Sequence, residues 1–199
     1  MKKHHLILGS QSPRRKELLG FLGIPFKVIA PNIEERSTFN SPIEIARHLS
    51  QQKAQHLHSK MLDHDHLILS ADTLVTLNGK IYGKPKDRLE AKEFLRELSG
   101  NTHQVVTGVT LKSSQYERIF HVQSEVTFAP WKEEMINHYL DCNESMDKAG
   151  AYGIQGPSLT FITHLNGSYS NVVGLPLAEL ISEMELMFGT NRWRDCFVL

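Results

Sequence analysis

The sequence predicts an α/β protein: an elongated mixed β-sheet flanked by helices, with two lobes around a central cleft. Apolar runs of strand length, Leu6-Ile7-Leu8 and His66-Leu67-Ile68-Leu69-Ser70, alternate with helical stretches that open on Ser12-Pro13 and Ser41-Pro42, the order expected of βαβ units. An Asn78-Gly79 pair between two further apolar runs tolerates the left-handed dihedrals of a tight turn and adds an antiparallel hairpin, which makes the sheet mixed. No internal repeat or low-complexity linker interrupts residues 1–199, so a single domain is expected, ending in a short tail over 190–199.

The elements follow in order. Gly9 and Ser10 suit a turn after the first strand, Ser12 a helix N-cap and Pro13 the first helical position, for a helix from Pro13 to about Leu22. Gly23-Ile24-Pro25 breaks it, and Phe26 to Ile29 is a second short strand. A polar loop carrying Glu34 and Glu35 leads to Ser41-Pro42-Ile43-Glu44, a capping box that starts a helix reaching about Lys60, its inner face including Ile45, Leu49 and Leu57. The strand His66 to Ser70 delivers Asp72 and Thr73 at or near its end. Leu74 to Leu77 and Lys80 to Tyr82 make the hairpin. Asp87 and Glu90 stand in box spacing at the head of a helix to Leu98 that Gly100 closes. Val105 to Leu111 and Tyr116 to Phe128 are paired strands. A helix over Trp131 to Leu140, an irregular stretch to Gly156, a strand over Thr160 to Thr163 and a last helix from Pro176 to Met187 complete the chain, with Trp193 and Phe197 packing the tail.

A chain of 199 residues can bury a core without staples. Hydrophobic content of 40%, charged content of 22% and zero formal net charge give no global positive field, so phosphate binding must be local. Cys142 and Cys196 lie far apart, which indicates neither a disulfide framework nor a structural zinc, and a reducing cytoplasm fits best. The apolar run after Lys2-Lys3-His4-His5 is too short for a signal-peptide core, and no stretch has the length of a membrane span.

Chemistry concentrates in a few clusters. The helix that opens at Ser12-Pro13-Arg14-Arg15 presents free N–H groups beside two guanidinium forks, an arrangement suited to phosphate oxygens. A capped amphipathic helix with two solvated arginines fits the same residues. Further polar or glycine-rich clusters stand at Ala71-Asp72-Thr73, Gly83-Lys84-Pro85, Ser99-Gly100-Asn101-Thr102-His103 and Asp147-Lys148-Ala149-Gly150, and again at Gly153-Ile154-Gln155-Gly156 and Gly167 to Pro176. Together, in this order and over roughly Leu6 to Leu177, they resemble the Maf family of nucleoside triphosphate pyrophosphatases.

The resemblance implies the same fold with a nucleotide in its cleft, and hydrolysis between the α and β phosphates to give monophosphate and pyrophosphate. It also implies magnesium or manganese as cofactor, a role in clearing unwanted nucleotides, and a homodimer, with no nucleic acid or membrane as partner. Asp72 matches the family's proton acceptor and a metal ligand; a turn cap after a strand is its bland alternative. Glu35 matches a second metal oxygen, with Glu34 the adjacent alternative. Ser10, Arg14, Arg15 and Lys84 are expected to hold phosphate. Lys53 matches a Lys-Ala pair and joins them through the resemblance alone, since an isolated helical lysine is ordinarily solvated. Asp147 and Lys148 are expected near the polyphosphate or behind its ligands.

Arg14, Thr73 and Gln155 match the branch associated with dTTP and UTP; Trp, Gln and Glu mark the branch associated with 7-methyl-GTP. The Gln155 amide offers donor and acceptor to a pyrimidine imide, while a loop glutamine bonded to backbone fits the local sequence equally. His103 is expected to tie down a loop, and the pairs His56/His58 and His64/His66 to be surface residues. Departures from the family pattern are Gly9 where alanine is common, Ser70 where glycine is usual, and Asp141-Cys142-Asn143 in place of a glycine-rich turn. The competing class is a nucleic-acid-binding or septum-associated regulator using Arg14 and Arg15 on backbone phosphates, disfavoured by the neutral charge. A kinase would need a GxxxxGK[ST] loop, which the sequence lacks.

Overall fold

The computed structural model describes residues 3–61, 65–189 and 192–198. The strands are β1 (His4–Gly9), β2 (Lys27–Val28), β3 (His66–Leu77), β4 (Lys80–Tyr82), β5 (Thr102–Lys112), β6 (Glu117–Phe128), β7 (Ile162–Asn166) and β8 (Phe197–Val198). They hydrogen-bond in the order β2-β1-β3-β5-β6-β7, with β4 on β3 and β8 on β1. The helices are α1 (Pro13–Gly20), α2 (Pro42–Lys60), α3 (Arg88–Leu98), α4 (Glu133–Asp141), α5 (Tyr169–Val173) and α6 (Leu177–Phe188). The mixed α/β class follows: β1 pairs β2, β3 and β8 in parallel, whereas β3/β4 and β6/β7 are antiparallel. By contacts the chain divides into two compact units: Met1–Asp72, Thr107–Val122 and Gly174–Leu199 form one, Thr73–Val106 and Gln123–Val173 the other.

In the first unit β1, α1, β2, α2 and the start of β3 make successive βαβ crossovers. Leu6, Leu8, Leu67 and Leu69 are fully buried on one face of the paired strands. On the other face Ile7 and Ile68, in register, pack against Ala54 and Leu57 of α2. Gly108 of β5 lets that helix approach, because a Cβ there would run into the main chain at Ala46 and Arg47. Ser41 caps α2 by position only, since its side chain makes no cap bond; Pro42 at the first helical position makes one missing donor harmless.

Gly9 and Ser70 are register partners in β1 and β3, and a Cβ on Gly9 would strike Ser70 Oγ and sit 2.7 Å from Leu57 Cδ1. Gly9 and Ser70 are therefore matched, the absence of a side chain at 9 leaving room for the hydroxyl at 70. Gly9→Ala is expected to destabilise by roughly 1–3 kcal/mol through overpacking. Adding Ser70→Gly should restore the melting temperature; failure to restore it would assign the clash to Leu57.

In the second unit α3 and α4 cover a core of Val75, Tyr82, Leu95, Leu98, Val105, Val126, Phe128, Trp131 and Tyr139. Asp87 caps α3, its carboxylate accepting from Glu90 N at 2.8 Å, while Glu90 reaches back to Lys86 N at 2.7 Å. Asn78 and Gly79 take φ of 51° and 82°, the left-handed pair that the hairpin requires.

Several sequence expectations need correcting. Strand β3 does not end at Ser70 but runs unbroken to Leu77, so Asp72 and Thr73 lie within it. The apolar pattern looked interrupted because Asp72 and Thr73 are the polar residues of a mostly buried strand. Helix α5 was not foreseen, and β7 starts two residues later than Thr160, which belongs to a 3-10 turn over Pro157–Thr160. Asn143 stands in for the missing glycine turn at φ 56°. In the tail, Trp193 and Phe197 are buried and β8 joins β1. His66 is no surface residue: it is buried, with Nε2 at 2.9 Å from His58 Nδ1. His64 lies outside the described residues.

Candidate active site

Residues Ser10, Arg14, Arg15, Glu35, Lys53 and Asp72 belong to the first unit. The turn after β1 buries Ser10, whose hydroxyl accepts from Ser12 N at 3.1 Å and from Arg15 Nη1 at 3.4 Å. Ser12 caps α1 by accepting from Arg15 N. The Arg15 guanidinium is held a second time, Nε donating to the Gly174 carbonyl at 2.8 Å. That carbonyl belongs to the Gly167 to Pro176 motif and escaped the sequence reading, because a backbone oxygen leaves no mark on residue type. Arg14 and Arg15 are both half-buried, so neither is the fully solvated arginine of the bland alternative.

Asp72 is reached from β3 by alternation. It lies two residues beyond Ser70 and four beyond Ile68, on the face that α2 covers. Helix α2 buries Ala46, Leu49, Ser50, Lys53, Ala54 and Leu57, a stripe of helical spacing. Lys53 occupies the inner stripe one turn from both Leu49 and Leu57, and that spacing was the available signal against a solvated lysine. Its Nζ donates to Asp72 Oδ1 at 2.6 Å and contacts Glu35 Oε2 at 3.0 Å. Both Lys53 and Asp72 are buried, whereas Glu35 is about half exposed at 48%. Glu34 pairs instead with Arg36 at 2.7 Å on the surface, which separates the adjacent glutamates.

Burial pushes the Asp72 carboxyl above the usual carboxylate range, and Glu35 adds to this, while Lys53 and Arg15 pull it down. Burial likewise lowers Arg15, against the attraction of Asp72. The charges of Arg15 and Asp72 thus influence each other. A buried acid raised by desolvation and flanked by cationic neighbours has the surroundings of a functional carboxylate.

A divalent cation fits this donor set. Asp72 and Glu35 both lie within 3.0 Å of one nitrogen, so two hard carboxylates converge on a single point. Among the described residues no group of three or more His, Cys, Asp or Glu forms a metal site. Two carboxylates completed by phosphate oxygens and water are the usual provision for magnesium in phosphate chemistry.

The second unit carries Thr73, Lys84, Asp147, Lys148 and Gln155. Gly150 N donates to the Gly83 carbonyl at 3.1 Å, which joins the Gly83-Lys84-Pro85 motif to the Asp147-to-Gln155 loop. Lys84 is exposed and Gln155 half-buried. Lys148 is buried with its Nζ 2.7 Å from Asp147 Oδ1 and 2.9 Å from Glu144 Oε2, a residue the sequence reading did not single out. Its stem passes over Gly153, where a Cβ would come within 2.7 Å of Lys148 Cε. Gly150 and Ala151 are both left-handed, φ 69° and 61°, and for the buried alanine this costs on the order of 1 kcal/mol. Tyr152 follows, its hydroxyl 2.6 Å from His103 Nε2 in a hydrogen bond whose donor is set by the ring tautomer. His103 is fully buried against Phe128 and Tyr152 and so ties down this loop.

Known proteins resemble this chain over most of its length. A dTTP/UTP pyrophosphatase of Bacillus cytotoxicus is 46% identical over 186 residues, 93% of this chain and 95% of that protein. One from Bacillus anthracis is 44% identical over 181 residues, 90% and 94% of the respective chains. Among solved structures, the Ham1 protein of Staphylococcus aureus superposes with a TM-score of 0.48 at 15% identity, covering 64% of this chain and 73% of that one. A nucleoside-triphosphatase / dITP/XTP pyrophosphatase of Mycobacterium abscessus does so with a TM-score of 0.45 at 12% identity, covering 94% and 100%. The family model for Maf-like protein matches residues 5–187, every site residue above included, and the chain belongs to the Maf family.

Proposed function

We propose that this protein is a nucleoside triphosphate pyrophosphatase that cleaves dTTP and UTP between the α and β phosphates, removing unwanted pyrimidine nucleotides in the cytoplasm. The observation that carries the reading is the buried Asp72, flanked by Lys53 at 2.6 Å and acted on by Arg15 and Glu35. Ser10, Arg14 and Arg15 hold polyphosphate oxygens, since guanidinium forks match them and charge-assisted bonds contribute about 1.5–3 kcal/mol each. In the nucleotide-free protein Lys53 holds Asp72 Oδ1; with nucleotide bound, the Asp72 carboxylate takes the proton of a water that attacks the α phosphorus. Pyrophosphate departs as the new P–O bond forms. A divalent cation between Asp72 and Glu35, when bound, supplies charge neutralisation at the phosphate oxygens.

In the second unit Lys84 and Lys148, with Asp147 orienting the latter, are assigned to the substrate. Gln155 is assigned to the imide edge of the pyrimidine, with Arg14 and Thr73 completing the pattern of the dTTP/UTP branch. The protein is proposed to act as a homodimer. Among the described residues no helix is long and apolar enough to cross a membrane.

Incubation of the purified protein and magnesium or manganese with dTTP, UTP, CTP and 7-methyl-GTP, followed by product identification, tests the reading. Monophosphate and pyrophosphate from dTTP and UTP are expected. Inorganic phosphate with diphosphate as products, or a preference for 7-methyl-GTP, would contradict it.

A further inference from the structure

We propose that the Lys53 ammonium is a resident cation standing where a divalent ion would bind, so that the nucleotide-free protein takes up metal weakly. In this view the ion gains Asp72 and Glu35 only when Lys53 transfers to the phosphates of a nucleotide. The inference rests on the proposed role of those two carboxylates as metal ligands.

Three observations carry it. Nζ contacts Asp72 Oδ1 at 2.6 Å and Glu35 Oε2 at 3.0 Å, so the ammonium engages both acidic side chains that an ion would need. Magnesium binds oxygen at about 2.0–2.1 Å and demands near-octahedral geometry, which an ammonium already seated between the same two oxygens denies it. Lys53 is 6% exposed on the inner stripe of α2, one turn from Leu49 and from Leu57, and cannot retreat to solvent as a surface lysine would. Arg15 adds a second positive charge felt at Asp72, opposing a lone divalent ion further.

What moves the ammonium must be an anion that enters the site. The lysine stem is flexible and its charge is compact, so a polyphosphate can draw Nζ off the carboxylates while its own oxygens complete the coordination of an incoming ion. Metal and nucleotide would then bind as a pair, with no standing metal in the resting protein. Lys53 is on this account a positioning residue that times metal entry.

The test is uptake of Mn2+ alone, without nucleotide, followed by the electron paramagnetic resonance signal of free Mn2+. Lys53→Met is expected to bind Mn2+ at least about ten-fold tighter than the unsubstituted protein. Lys53→Arg, which keeps the charge, should stay weak, and Lys53→Met combined with Asp72→Asn should lose the gain. Equal or weaker binding by a folded Lys53→Met overturns the proposal. Lys53→Gln keeps a hydrogen-bond donor for Asp72 without its charge, and serves if the methionine variant does not fold. Should neither fold, the unsubstituted protein decides: micromolar uptake of Mn2+ alone refutes the resident cation, and millimolar uptake supports it. Uptake is read without turnover, so a gain in Lys53→Met beside a protein inert to dTTP would sink only the pyrophosphatase reading. Hydrolysis of dTTP without the gain would sink only the inference about Lys53.

Discussion

Asp72→Asn is expected to leave nucleotide binding measurable while cutting dTTP turnover by at least about 10²-fold, the loss that removal of a general base produces. The amide matches the carboxylate in shape and keeps an oxygen for Lys53 Nζ at the 2.6 Å position, so the fold around β3 and α2 has reason to survive. What the amide cannot do is take a proton. The split between kinetic constants identifies the role: a fall in kcat with KM nearly kept marks a group acting in the transition state, whereas a rise in KM alone marks simple binding. A melting curve on the same preparation separates lost chemistry from lost structure. Near-normal turnover would move the base to Glu35, the other carboxylate on Lys53.

The second large effect concerns stability in acid. His103 is fully buried, and burial pulls its pKa from 6.5 down to about 4. A histidine whose folded pKa is depressed binds fewer protons folded than unfolded between those two values, so stability rises with pH across that window. Its contribution is complete above about pH 6.5 and is lost as pH falls toward 4, for a total on the order of 3 kcal/mol, about 2 kcal/mol of it gone by pH 5. His103→Gln, which does not titrate and can still bond the Tyr152 hydroxyl, is expected to flatten this part of the profile. Urea denaturation at pH 7.5 and pH 5 measures it. An undiminished loss in the variant would place the acid-sensitive group elsewhere.

How much of the site could be read in advance differs by residue. Ser12 and Pro13 announced α1 because capping is local, settled within four residues of chain. Asn78-Gly79 announced its hairpin for the same reason. Lys53 enters the site through the resemblance alone, although Leu49 and Leu57 on either side mark its buried face of the helix. His66 was misplaced because a polar residue in a buried strand is identified by its neighbours in space, here His58 of α2. Gly9 and Ser70 are far apart in the chain, and the register of β1 on β3 sets them side by side. Glu34 and Glu35 are neighbours along the chain, and the structure separates them by partner, Arg36 for the first and Lys53 for the second.

By itself the sequence determined the alternation of strands and helices and the capped turn bearing Arg14 and Arg15, since periodicity, caps and turns are properties of neighbours along the chain. The pairing of Lys53 with Asp72 and Glu35, the hold of Gly174 on Arg15 and the seat of His103 beside Tyr152 were decided by tertiary structure. Those contacts join residues far apart in the chain. Their energies depend on burial and on distances of about 3 Å that exist only once the sheet and its helices have packed.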